Sequence, residues 1–150
     1  MIQAPLFRPQ TEWLPPEEFP DLSKYDEIAI DLETKDPDLV KMGSGSVAKN
    51  GDVVGIAVAV NNWSGYYPIA HEGGGNMDRA KVLKWFQGVL DTPALKIFHN
   101  AMYDVCWIRA LGGDFFQLVR QVAAPADSYG LHAAGAAETL GRACWGVAAW

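Results

Sequence analysis

The sequence predicts an α/β fold in which a mixed sheet is flanked by helices. Three observations predict it: short apolar runs typical of strands, an early pair of strands joined as a hairpin, and a later amphipathic helix that leads into another strand and helix. The length of 150 residues, with 49% apolar and 20% charged residues, suits one such core. We therefore expect a single small globular domain.

The first element is a proline-rich segment. Five prolines lie within residues 1–25, which predicts an extended arm over residues 1–25 instead of a helix. Trp13 and Leu14 are its candidate apolar anchors. The remaining residues, 26–150, are predicted to form the domain itself.

Strands and helices then alternate. The first strand is predicted over residues 27–32, and strands two and three flank a turn at residues 61–65. An amphipathic helix follows and ends near Pro93. Its apolar residues recur at i, i+3, i+4, i+7 and i+8: Val82, Trp85, Phe86, Val89 and Leu90.

A fourth strand, near residues 94–98, leads directly into a helix that ends at Gly112. This order of elements is the ribonuclease H-like one. Parallel placement of strands one and four would bring Asp31, Glu33 and Asp104 together at one edge of the sheet, where open sheets bind ligands.

These three acids have the chemistry of a metal site. Asp31 and Glu33 alternate on a strand and so project to the same side. Because two unpaired carboxylates repel each other, a bound cation is their natural partner. Asn100 can cap the following helix, and Asp104 then lies one turn in. Two Mg²⁺ or Mn²⁺ ions about 3.5 to 4 Å apart would suit phosphodiester hydrolysis. The Asp-x-Glu pair alone fits a solvated structural role equally well. The later segment, which carries Asn100 and Asp104, favours the metal site.

The segment from about residue 3 to residue 112 resembles the proofreading 3′-5′ exonuclease domain of phage and bacterial DNA polymerase I-like (family A) enzymes, in the DEDD superfamily. The resemblance is carried by residues 28–34, 53–60, 67–76 and 98–104. It implies that Asp31 bridges both metals, that Glu33 binds the water-activating metal and that Asp104 binds the second.

The resemblance also implies partners. The expected substrate is a single-stranded DNA 3′ end, with Thr34, Asn100 and Tyr103 as candidate substrate-binding residues. The expected protein partner is a DNA polymerase domain or subunit. An exonuclease acting on RNA stays open as an alternative, since no residue that reads the 2′-hydroxyl is identifiable.

The sequence departs from the family at the fourth acid. That acid is expected as the Asp of a Tyr-x-x-x-Asp or His-x-x-x-x-Asp motif. The position where Tyr129 would need this Asp is Ala133, and the position where His132 would need it is Ala137. We therefore interpret the chain as a C-terminally incomplete exonuclease domain with an incomplete two-metal site, and expect weak activity or none from it alone. The alternative is an inactive nucleic-acid-binding or regulatory remnant of a phage polymerase exonuclease domain.

Charge and targeting signals restrict the setting. The net charge of −6 disfavours a freestanding nucleic-acid binder, because affinity comes mainly from neutralising phosphates. It does not exclude a nuclease, whose metals reverse the local sign. With no apolar run of membrane-spanning length and no signal-peptide pattern, we expect the cytoplasm of a bacterial or phage-infected cell and no membrane partner.

Two loops border the predicted site. Residues 36–52 are interpreted as a flexible connection, with closure over a 3′ end as the alternative. Residues 73–76, Gly-Gly-Gly-Asn, are interpreted as a turn, because they lack the Lys and Ser/Thr of a P-loop. Contact between the nearby His71 and substrate is left open.

Overall fold

A computed structural model describes residues 14–112 of the chain. Within that range the elements are β1 (Glu27–Lys35), α1 (Leu39–Met42), α2 (Gly45–Ala48), β2 (Asp52–Val60), β3 (Trp63–Pro68), α3 (Arg79–Asp91), β4 (Leu95–Ile97) and α4 (Ala101–Ala110). The strands form one sheet in the order β3-β2-β1-β4. β2 pairs antiparallel with both β1 and β3, whereas β1 and β4 are parallel. The predicted α/β fold with a mixed sheet is confirmed, and it is consistent with the ribonuclease H-like order.

β1 is an inner strand of the sheet, and its alternation separates two environments. The even-numbered residues 28–32 are buried in a core shared with α3 and α4. Asp31 and Glu33 lie on the opposite face, where their partners on β2 are Ala57 and Gly55. These partners are small, and the space above Gly55 is filled by the Tyr66 phenol from β3.

α3 supplies much of the core on the face of the sheet opposite the acids, where Ile28, Ile30 and Leu32 are buried. The Asp78 side chain caps it by accepting a hydrogen bond from the Lys81 backbone N–H at 3.1 Å. The helix ends at Asp91, because Thr92 is extended and Pro93 follows. The predicted helix is confirmed. The buried residues of α3 are Val82, Phe86, Val89 and Leu90. None of the helices in residues 14–112 is long and apolar enough to cross a membrane.

Replacing Asp78 by Ala is expected to lower the free energy of unfolding by about 1 kcal/mol, because the cap of α3 is lost. Urea unfolding followed by circular dichroism measures the change. The matched control is Asp78→Asn, which keeps a side-chain oxygen and should stay close to wild type. Equal losses in both variants would show that the capping hydrogen bond is not the cause.

Residues 14–26 contain no helix or strand. Leu14 was a predicted anchor, but its side chain is 79% exposed, so that prediction is wrong, and Trp13 lies outside the described residues. The segment is held instead by Leu22, which is buried, by Phe19, whose ring stacks on Tyr67 at 5.6 Å, and by the Pro20 carbonyl. That carbonyl accepts a hydrogen bond from the indole N–H of Trp85 on α3 at 2.9 Å.

Two element boundaries differ from the sequence prediction. β1 runs on to Lys35, past the predicted end at residue 32, because it keeps pairing with β2 through an irregularity between Glu33 and Thr34. The hairpin turn contains only residues 61 and 62, since β3 already begins at Trp63. Asn62 adopts the left-handed conformation (φ 66°), which Asn tolerates better than most other residues.

Candidate active site

Three acids from two distant segments of the chain lie close together beside the middle of β1. Asp31 and Glu33 are half-buried neighbours on one face of that strand. Asp104 lies in the first turn of α4 and is only 3% exposed. Because β4 runs parallel to β1 and continues almost at once into α4, the start of that helix is brought beside β1. The predicted parallel placement of these strands is confirmed.

A single hydrogen bond fixes Asp104 to the strand. Its Oδ1 accepts the backbone N–H of Leu32, which lies between the other two acids, at 3.3 Å. The ladder between β1 and β4 covers only residues 27–29 of β1. The Asp104 side chain thus satisfies a backbone donor of β1 beyond the end of that ladder.

The pKa values of Asp104 and Glu33 are both raised at this position. Burial raises the pKa of Asp104 to about 7, and the charges of Asp31 and Glu33 add to the rise, while the N–H of Leu32 opposes it. Burial also raises the pKa of Glu33, again with a contribution from Asp31. Among the described residues, no basic side chain contributes to these two pKa shifts.

The donor chemistry suits a hard divalent cation, for which carboxylate oxygens are the preferred ligands. The positions are less complete. Within the described part of the chain, no group of three or more His, Cys, Asp and Glu side chains is arranged so that it could hold a metal ion. Asp31 and Glu33 are close enough to Asp104 to raise its pKa, but the three carboxylates do not form a closed coordination shell.

The three residues predicted to bind substrate have different surroundings in the structure. Thr34 and Tyr103 contact each other: their hydroxyl oxygens are 2.7 Å apart. Asn100 is exposed and stands at the N-cap position of α4, but its side chain makes no capping hydrogen bond. The expected capping interaction is therefore wrong, although the helix starts where predicted.

Asp36 is a neighbour of the site that sequence reasoning missed. Its Oδ2 accepts the Tyr103 hydroxyl at 3.0 Å and the backbone N–H of Gly45 at 2.9 Å. The Thr34 hydroxyl must then donate to Tyr103, since a phenol has a single proton to give. This network joins β1, α4 and the segment that follows β1. The only indication of this role in the nearby sequence is that Asp36 directly follows β1.

The segment between β1 and β2 is more ordered than a plain flexible connection. It holds α1 and α2, with Ser44 accepting from the Ser46 backbone N–H at the start of α2. The Asp38 carboxylate accepts the side-chain N–H of Asn50 at 2.7 Å. By contrast, residues 73–76 form no helix or strand, as predicted for a turn.

Replacing Tyr103 by Phe is expected to lower the free energy of unfolding by about 1 to 2 kcal/mol, because two part-buried hydrogen bonds are lost. Urea titration measures the loss. Tyr25→Phe is the control: its ring makes a cation–π contact with Lys24 that the substitution preserves, so it should change stability by less than about 0.5 kcal/mol. A Tyr103 variant as stable as that control would contradict the structural role of this network.

Comparison with known proteins adds a second line of observation. The chain is 36% identical over 121 residues to a "DNA-directed DNA polymerase" of Pseudomonas phage M6, and the match covers 76% of the chain. The chain is similar to one segment of a phage polymerase. It spans only 18% of that relative's length. No family model matches the chain.

Proposed function

We propose that the chain is a 3′-5′ exonuclease domain of the proofreading type, which hydrolyses phosphodiester bonds at DNA 3′ ends. One observation carries the proposal: Asp31 and Glu33 on β1 lie so close to Asp104 on α4, about 70 residues later in the chain, that their charges add to the raised pKa of Asp104. The similarity to a polymerase of Pseudomonas phage M6 supports a role beside DNA synthesis. A proofreading domain accounts for both the acidic site and the similarity to a polymerase.

The residues divide the work as follows. Asp31, Glu33 and Asp104 would hold two Mg²⁺ or Mn²⁺ ions. Bound ions of this kind activate a water and stabilise the leaving oxygen. The Leu32 N–H keeps Asp104 directed toward β1, and the Thr34–Tyr103 pair holds the first turn of α4 against that strand.

Two features limit the activity that we expect from the chain by itself. Residues 105–150 contain no acid in the frame that the family uses for the fourth ligand. The net charge of −6 also gives little general attraction to DNA. We therefore propose that a polymerase domain or subunit supplies most of the grip on DNA, and that cleavage by the isolated chain is slow.

A second candidate is an inactive nucleic-acid-binding or regulatory remnant. The observation that favours it is the absence, within residues 14–112, of a group of acids arranged to hold a metal ion. Such a protein would bind single-stranded DNA weakly and would leave it intact, with or without a divalent cation.

The two candidates are separated by incubating the protein with a 5′-labelled single-stranded oligonucleotide and Mn²⁺ or Mg²⁺. Shortening in single-nucleotide steps, abolished by chelation, supports the exonuclease. A second oligonucleotide with a phosphorothioate at its last 3′ linkage should be shortened more slowly, which establishes the direction. An oligonucleotide that stays intact at high protein concentration, while its mobility in a native gel is retarded, supports the remnant.

A further inference from the structure

A tyrosine shares the face of the sheet on which the acids lie. The register pairs Asp31 with Ala57 on β2, and Ala57 with Tyr66 on β3. Residues directly opposite in a sheet point to the same face. Asp31 and Tyr66 are therefore two strands apart in one row, and only the methyl group of Ala57 lies between them.

The Tyr66 side chain leans toward the neighbouring row, which contains Glu33. A Cβ placed on Gly55 would lie only 1.9 Å from the Tyr66 hydroxyl oxygen, so the phenol occupies the space above that glycine. Gly55 is the direct partner of Glu33, and Cβ positions of such a pair are about 4.5 to 5.5 Å apart. The phenol therefore lies beside the Glu33 side chain on this face; its printed hydrogen bond is to His71, and a bridging water would connect its hydroxyl to the Glu33 carboxylate.

The loop after β3 holds the phenol in this position. The Tyr66 hydroxyl is hydrogen-bonded to Nε2 of His71. The Asn76 side chain fixes His71 by accepting its backbone N–H at 2.7 Å and donating to its carbonyl at 2.8 Å. The next residue, Glu72, forms a salt bridge with Lys35 at the end of β1. The loop is therefore tied to the same strand that carries the acids.

We propose that Tyr66, oriented by His71, is a positioning residue for Glu33: its hydroxyl sets the direction of that carboxylate across Gly55. Its catalytic meaning rests on the proposed exonuclease function, in which Glu33 serves the water-activating step. In this arrangement His71 acts by orienting the Tyr66 hydroxyl and not by contacting the substrate.

The first test needs no metal and no substrate. The ¹³C NMR signal of the Glu33 carboxyl group is compared between wild type, Tyr66→Phe and Tyr67→Phe, in chelator at about pH 8. Tyr67 is the matched control, because it is the adjacent residue, is fully buried on the other face, and donates its hydroxyl to the Glu18 carbonyl. We expect the Glu33 signal to move in Tyr66→Phe alone. An unchanged signal there, or an equal change in Tyr67→Phe, overturns the proposal.

Gly55→Ala provides a second variant, since its methyl group must displace the phenol. Its Glu33 signal should move in the same direction as in Tyr66→Phe, and the opposite direction would contradict the geometry. In the oligonucleotide assay, Tyr66→Phe should lower kcat about tenfold without raising KM. Wild type that cleaves no DNA, combined with a Glu33 signal that responds to Tyr66→Phe, would overturn the exonuclease function and leave the positioning contact established.

Discussion

Replacing Asp31 by Asn is expected to reduce metal-dependent removal of nucleotides from a DNA 3′ end about 100-fold or more. Asn has nearly the same shape but lacks the negative charge through which Asp31 would bridge two cations. Asp31 also contributes to the raised pKa of both Glu33 and Asp104, so its replacement changes the whole site. The rate is measured by the release of nucleotides from a 5′-labelled single strand with Mn²⁺.

The control for this experiment is Asp26→Asn, which removes one negative charge from an exposed position just before β1. It should retain wild-type cleavage. Circular dichroism spectra of both variants establish that the fold is intact. Cleavage that persists in Asp31→Asn at the wild-type rate would come from a different site or a contaminating nuclease, and it would remove the basis for the proposed function.

Replacing Asp104 by Asn is expected to stabilise the metal-free protein above pH 7 by about 2 to 4 kcal/mol. The folded protein raises the pKa of this carboxyl to about 7, so the folded state retains a proton that the unfolded state has already released. The stability of wild type therefore falls as pH rises from about 4 to about 7 and stays low above that range. Asn removes the charge and keeps an oxygen that can accept from Leu32.

Urea unfolding in chelator at a series of pH values measures this difference. The two curves should coincide near pH 4 and separate steadily toward pH 7. Asp26→Asn, which lies outside the site, should follow wild type throughout. A divalent cation at alkaline pH should restore stability to wild type and much less to Asp104→Asn. Parallel curves for wild type and Asp104→Asn would mean that the buried carboxyl carries no such penalty.

The sheet could be predicted because its signals are local. The apolar run before Asp31, the hairpin and the periodic apolar residues of α3 each identify an element without reference to the rest of the chain. The parallel pairing of β1 and β4 fits the order of elements, in which α3 returns the chain from β3 to the far side of β1. This placement brings Asp104 beside β1. The roles of the acids as metal ligands stay predictions.

The sequence was less informative where side chains meet across long separations. Nothing near Asp36 indicates that its carboxylate accepts the hydroxyl of Tyr103, 67 residues later. Alternation along β3 places Tyr66 and Tyr67 on opposite faces of the sheet, but it does not indicate that both are buried, because burial depends on what covers each face. The position of Tyr66 above Gly55 required the register of three strands.

The hydrogen bond from the Leu32 amide to Asp104 provides a built-in probe of the motions of α4. Its acceptor lies on a helix 72 residues away and not on a neighbouring strand, so this amide proton exchanges with solvent when the start of α4 separates from β1, even if the sheet stays intact. The amides on either side, by contrast, report on pairing between strands. The difference in deuterium uptake between Leu32 and its neighbours thus measures the free energy needed to open the site at a single backbone position.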